Sequence, residues 1–209
     1  MIYRAQGYLL GQLAGDAIGS LVEFQSPDEI RRSYPNGVRE LADGGTWNTI
    51  AGQPTDDSEM ALLFAMGIAH AIQSGCDRKQ LYQHIRKWAV DMPVESALLE
   101  TIDKADDEPP ADYVHQQGWV LIAFQNALYQ LLHAPSLEDG VVDTIMRGGD
   151  TDTNAAICGA LLGAVCGREA IPAQCRPEAG HPQVRHPRPE CFWPVDVLDL
   201  AEGLVRSIN

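Results

Sequence analysis

Apolar positions recur at helical spacing along most of this chain, while strand patterning is scarce. Residues 3–22 carry the first such run. Ser26-Pro27-Asp28-Glu29 then reads as a helix start: a capping serine, a proline at the first helical position and an acid able to return the cap. A further helix is predicted to begin near Asp56 with Glu59 as its reciprocal cap. The next is capped by Asp77, with Gln80 in that role and Leu81, Ile85, Trp88 and Ala89 on one face. Pro93 opens a helix carrying Leu98, Leu99 and Ile102, and residues 116–133 and 136–147 supply two more, the second capped by Ser136. A helix from about Asp152 to Gly167 follows, and residues 195–205 close the chain as a short amphipathic one. Between these lie two loops: residues 35–54, rich in glycine, and residues 172–194, which hold six prolines. Asn36-Gly37 and Asp43-Gly44 have no flanking strands. The pattern predicts an all-α fold, a compact multi-helix bundle forming a single domain over residues 1–209.

Two helices carry glycine at every fourth position: Gly7, Gly11, Gly15 and Gly19 in the first, and Gly159, Gly163 and Gly167 in the second. Each interior glycine costs about 0.5–1 kcal/mol against alanine, so the ridges call for close helix packing at the centre of the bundle. A membrane dimer is disfavoured because Gln12 and Asp16 interrupt the first run and the second is short.

Charge narrows the range of partners. The chain has 29 Asp and Glu against 15 Lys and Arg, a formal net charge of −14, and no basic stripe. Binding to nucleic acid or anionic lipid by general electrostatics is therefore excluded. The longest near-apolar stretch, Ala155 to Gly167, is 13 residues, short of the about 20 that a membrane span needs. The amino-terminal residues do not read as a signal peptide, and five scattered cysteines suit a reducing compartment, so a cytoplasmic protein is expected. Residues 91–112 hold eight acids and one lysine and read as a solvated acidic face.

The candidate chemistry sits at Thr55-Asp56-Asp57-Ser58 and at Gly148-Gly149-Asp150-Thr151-Asp152-Thr153. Each ends a loop, opens a helix and is dense in hard oxygen donors, which suit Mg²⁺ or Mn²⁺ and not zinc. Gly148 and Gly149 allow a ligand to approach the backbone closely. Capping alone is the plain reading of either cluster. If the clusters meet, four carboxylates converge, and two divalent ions would neutralise them.

Gly11-Gln12-Leu13-Ala14-Gly15-Asp16-Ala17-Ile18-Gly19 with Glu23, then Thr55-Asp56-Asp57-Ser58-Glu59-Met60, then Gly148 through Ala156 followed by Gly159-Ala160-Leu161-Leu162-Gly163, resemble the ADP-ribosylglycohydrolase family. The resemblance implies an orthogonal all-helical bundle with a binuclear Mg²⁺ centre, Mn²⁺ being an alternative. It implies cleavage of the bond between ADP-ribose and an acceptor, an arginine side chain above all, on an ADP-ribosylated protein or small molecule. Carried over residue by residue, Thr55, Asp56 and Asp57 hold metal from one side and Asp150, Asp152 and Thr153 from the other. Glu23 matches an acid beside the metals and is the candidate proton carrier, with Asp57 and Asp152 also placed in catalysis. Glu23, Gly148 and Gly149 are placed against substrate, and Asp16 behind the metal ligands or in a structural role. Building positive charge on the ribose and activating a water are tasks these residue types can perform.

The chain also departs from the family. The glycine-rich turn, the Asn-Gly-type motif ending in Met-Arg and the Thr-His pair that help line the ADP-ribose pocket are missing, and the join falls near Leu62–Phe64. An alternative function follows: a catalytically impaired, metal-stabilised ADP-ribose binder or scaffold. Weaker candidates are Trp47 as an adenine platform and Cys175, His181, His186 and Cys191 as a zinc set with no common spacing.

Overall fold

Helices start where a side chain can answer the first backbone amides, and here most starts are built that way. The structure, a computed structural model, describes residue 10 and residues 13–46, 48–53, 55–116, 118–173 and 197–206. Helix α1 covers residues 13–19. The Ser26 hydroxyl accepts the Glu29 N–H while the Glu29 carboxylate accepts the Ser26 N–H at 2.8 Å, a complete capping box for α2, Pro27–Ser33. Thr55 caps α3, Asp56–Ser74, and the Asp77 carboxylate accepts the Gln80 N–H at 2.9 Å to open α4, Arg78–Asp91. Ser136 caps α7, Leu137–Met146, in the same way.

Helix α5, Ser96–Lys104, begins after Pro93, later than the proline predicted, because Glu95 supplies the cap by accepting the Ala97 N–H at 2.5 Å. Helices α6, Val120–His133, and α8, Thr151–Cys166, lead to a 3-10 turn, Arg168–Ala170, and then α9, Val197–Arg206, completes the order. Among the described residues there is no strand, only an isolated antiparallel bridge between Gly44 and Thr49.

Helix α6 is the centre: ten of its 14 residues are buried, and α3, α4, α5, α7 and α8 all pack against it. Leu63, Ile85, Leu98, Phe124, Leu128 and Leu161 meet in one apolar core, each contributing about 1.5–3 kcal/mol by leaving water. The polar side chains of α6 that enter this core are all answered. Gln125 donates to the Glu108 carbonyl, Asn126 to the Thr144 hydroxyl and Gln130 to the Asp143 carboxylate. The acids of residues 91–112 do stay at the surface, apart from a half-buried Asp112. No described helix is long and apolar enough to cross a membrane.

The glycine ridges do not form the close contacts expected of them. A Cβ at Gly15, Gly19 or Gly163 would meet nothing within 4 Å, and at Gly159 only a Val141 methyl at 3.7 Å. Gly7 and Gly11 lie outside the described residues. The glycines that do bring helices together are solitary ones. A Cβ at Gly67 would lie 2.9 Å from the Ile85 side chain, and one at Gly140 would lie 2.7 Å from Leu162 Cδ1 and 3.0 Å from Ala134 Cβ.

These two situations predict opposite signs for the same substitution. Gly140→Ala is expected to lower stability by about 1–3 kcal/mol through overpacking. Gly163→Ala is expected to raise it by about 0.5–1 kcal/mol, the helix-propensity gain alone. Urea unfolding of both variants beside the parent chain measures the difference, and equal effects would contradict the packing described.

Candidate active site

Two loop-to-helix junctions carry the acids singled out above, and each is held by its own polar contacts. At the first, Asp16 on α1 grips Thr55 across 39 residues of chain. One of its carboxylate oxygens accepts the Thr55 N–H and the other the Thr55 hydroxyl, both at 2.8 Å. The Thr55 hydroxyl in turn accepts the Asp57 N–H at 3.4 Å. The turn after α1 is fastened to the following loop: Thr46 donates its hydroxyl to the Glu23 carbonyl at 2.7 Å. Gly45 permits that seam, since its φ is +74° and a Cβ there would lie 2.7 Å from the Ser20 carbonyl oxygen. Beside Glu23, Phe24 adopts a left-handed φ of 63° and is 82% exposed.

The electrostatics of this junction follow from crowding. Partial burial pushes the Asp56 carboxyl above its ordinary range. The nearby charges of Glu95, Asp16 and Glu23 add to the shift, against a hydrogen bond from its own backbone amide. The Asp57 carboxyl is raised by the same desolvation and by Asp56, Asp16 and Glu23. Glu59 is raised as well, chiefly by burial. It does not act as a reciprocal cap on α3, because its carboxylate accepts the Glu95 N–H at 2.6 Å and ties α5 to α3. Among the described residues, no ion pair with Lys or Arg offsets Asp16, Asp56 or Asp57. On the core-facing side of α3, the buried Ser58 hydroxyl has no hydrogen-bond partner.

The second junction joins α7 to α8. Gly148 and Gly149 take φ of +78° and +71°, which a side chain would resist. A Cβ on Gly149 would fall 1.8 Å from the Tyr113 carbonyl oxygen, so the close approach at this glycine is to the chain's own backbone and not to open space for a ligand. Tyr113 is itself anchored by a buried relay. Its hydroxyl donates to Asn126 at 2.8 Å, Asn126 donates to Thr144 at 2.9 Å, and Thr144 donates to the Gly140 carbonyl at 2.8 Å. The Arg147 guanidinium lies 5.8 Å from the centre of the Tyr113 ring and pairs with Asp143. Asp150 occupies the cap position of α8 without accepting a cap hydrogen bond, so capping does not account for it. Asp152 and Thr153 stand exposed in the first turn.

The two junctions open α3 and α8, which pack against each other. The charges of Asp16 and Glu23 bear on Asp56 and Asp57, and Glu95, which sequence places on an acidic surface, bears on Asp56 and Glu59. Asp150 and Asp152 are not among the charges that raise Asp57. Among the described residues, no three His, Cys, Asp or Glu side chains form a group able to hold one ion. The donor chemistry at both junctions, carboxylates and hydroxyls without imidazole or thiolate, nevertheless fits a hard divalent cation. Trp47, Cys175, His181, His186 and Cys191 lie outside the described residues. Of the remaining thiols, Cys158 is buried, while Cys166 is half-buried and receives a hydrogen bond from Arg78 at 3.2 Å.

Comparison with known proteins points the same way. The ADP-ribosylglycohydrolase family model matches residues 2–107 and 92–207. An ADP-ribosyl-[dinitrogen reductase] glycohydrolase of Rhodospirillum rubrum is 37% identical over 93 residues, which is 44% of this chain and 30% of that protein. ADP-ribosylarginine hydrolase Tri1 of Pseudomonas putida (strain GB-1) is 40% identical over 62 residues, covering 30% of this chain and 15% of that protein. The Tri1 of Serratia proteamaculans (strain 568) is 37% identical over the same length, again 15% of its own chain. The matched stretch thus spans less than a third of each of these relatives.

The crowding predicts how stability responds to pH. A carboxyl raised above its unfolded value favours the folded chain while protonated, and that contribution is lost as pH rises through the raised value. With divalent ions chelated, Asp57→Asn is therefore expected to raise Tm at neutral pH. The gain should vanish as pH falls toward the ordinary carboxyl value of 3.8. Scanning calorimetry of the two proteins across that range checks it, and a lower Tm for the variant at neutral pH contradicts it.

Proposed function

Since this chain belongs to the ADP-ribosylglycohydrolase family, we propose that it removes ADP-ribose from a modified acceptor by cleaving the N-glycosidic bond, at a centre of two Mg²⁺ ions. Mn²⁺ is the alternative metal and an arginine side chain the favoured acceptor, in keeping with the names of the Tri1 relatives. The observation that carries the reading is the family match over residues 2–107 and 92–207, joined by Asp56 and Asp57 at a helix start with no Lys or Arg paired to them among the described residues. The three free thiols among the described residues suit a reducing compartment, the cytoplasm.

Thr55, Asp56 and Asp57 would hold the metal from the first junction, and Asp150, Asp152 and Thr153 from the second. Bound there, the ions would supply positive charge that acidifies a water and orients the ribose hydroxyls. The chain's own residues do the rest. Glu23, on the turn fastened by Thr46, takes the proton from the attacking water, with Asp57 and Asp152 fixing the groups around it. Gly148 and Asp150 would reach the site from the second junction, where Gly149 lies against the Tyr113 backbone.

A second reading is favoured by the short span of the matches, 30% of one relative and 15% of the others. It holds that the chain binds cations and ADP-ribose without turnover. The two are separated by one comparison. The hydrolase reading expects Mg²⁺-dependent release of ADP-ribose from ADP-ribosylarginine, lost in Asp152→Ala. Glu23→Gln should lower kcat by about 10²–10⁴-fold while cation binding persists. A Tm that rises with Mg²⁺, together with no release from any ADP-ribosylated acceptor, favours the binder instead.

A further inference from the structure

Thr55 is held more tightly than a capping threonine needs. A cap requires only that its oxygen accept an amide from the first turn, and Asp57 N–H fills that role at 3.4 Å. Asp16 adds two hydrogen bonds of 2.8 Å, one to the Thr55 N–H and one to its hydroxyl. The second has a chemical consequence. A hydroxyl has one proton and two lone pairs, and the proton is committed to Asp16. The lone pairs are then left for acceptance, one by the Asp57 amide and one by an electrophile. A full negative charge on the acceptor also draws electron density onto the threonine oxygen.

We propose that Asp16 is a positioning residue: it fixes the direction of the Thr55 hydroxyl so that its oxygen is presented as a cation ligand. The inference rests on the divalent-cation reading of the site given above, and it assigns to Asp16 an effect transmitted through Thr55 rather than through its charge at large. Asp16 also contributes to the field on Asp56 and Asp57, so the two routes must be separated.

Three substitutions separate them. Asp16→Asn keeps the shape and an acceptor for the Thr55 N–H but can present N–H to the hydroxyl, competing for the oxygen. Asp16→Glu keeps the charge and displaces it. Thr55→Val removes the hydroxyl. Mn²⁺ and Mg²⁺ are titrated calorimetrically into the full chain stripped with chelator, and Tm is recorded without metal. Both Asp16 variants are expected to bind Mn²⁺ about 10–100-fold more weakly than the parent, the usual cost of losing a partner that orients a ligand. Metal-free Tm of Asp16→Asn should stay close to the parent. In a Thr55→Val background, Asp16→Asn should weaken binding no further.

Parent-like affinity in either Asp16 variant overturns the proposal, and so does an equal loss with or without the Thr55 hydroxyl. A parent chain that binds Mn²⁺ yet releases no ADP-ribose defeats the hydrolase reading alone, and the cycle still decides the role of Asp16. A parent chain that binds neither ion defeats both.

Discussion

Carboxylates drawn partly out of water next to one another are unstable neighbours, and the rest of the site is arranged around that repulsion. Asp56 and Asp57 stand at the first turn of α3, where the helix dipole offsets some of it and where the rest of the helix is gripped by the core through Leu63, Gly67 and Ala71. The burial that raises the two carboxyls is local, so the fold does not depend on them. The core around α6 supplies the stability, and the strained charge sits on its edge. A site built this way is poised for positive charge without being preassembled around it.

The second junction obeys a different constraint. A chain of buried donors from Tyr113 through Asn126 to Thr144 has every partner satisfied, which is what lets polar groups sit beside the apolar centre at all. That relay fixes the Tyr113 backbone, and Gly149 lies on it with no room for a side chain. The position of Asp150 is thus set by packing and hydrogen bonding far into the bundle rather than by the flexible choice of a loop.

How much of this is readable from sequence depends on the range of the interaction. Caps made by Ser26, Asp77 and Ser136 involve neighbours in sequence and are legible. Glu59 looked like the same device, but the competing Glu95 N–H comes from another helix and no local pattern announces it. The four-residue glycine spacing describes one face of a helix and says nothing of whether another helix lies on that face. Single glycines at positions 67 and 140, which carry no pattern, proved to be the contact points. For the site, hard oxygen donors at two helix starts were plain from the residues. Their relation to Asp16 came only from the family motif, and Glu95 read as part of an acidic surface because its other role is purely spatial.

The clasp between Asp16 and Thr55 also ties off a long stretch of chain, since 39 positions separate its two ends. Closing a flexible loop costs entropy that grows only with the logarithm of its length, and doubling the length adds about 0.6 kcal/mol. With both ends clasped, the segment between can lengthen or change without moving Asp16 or Thr55. Outside the turn that carries Glu23, it is where this scaffold tolerates insertion at small thermodynamic cost.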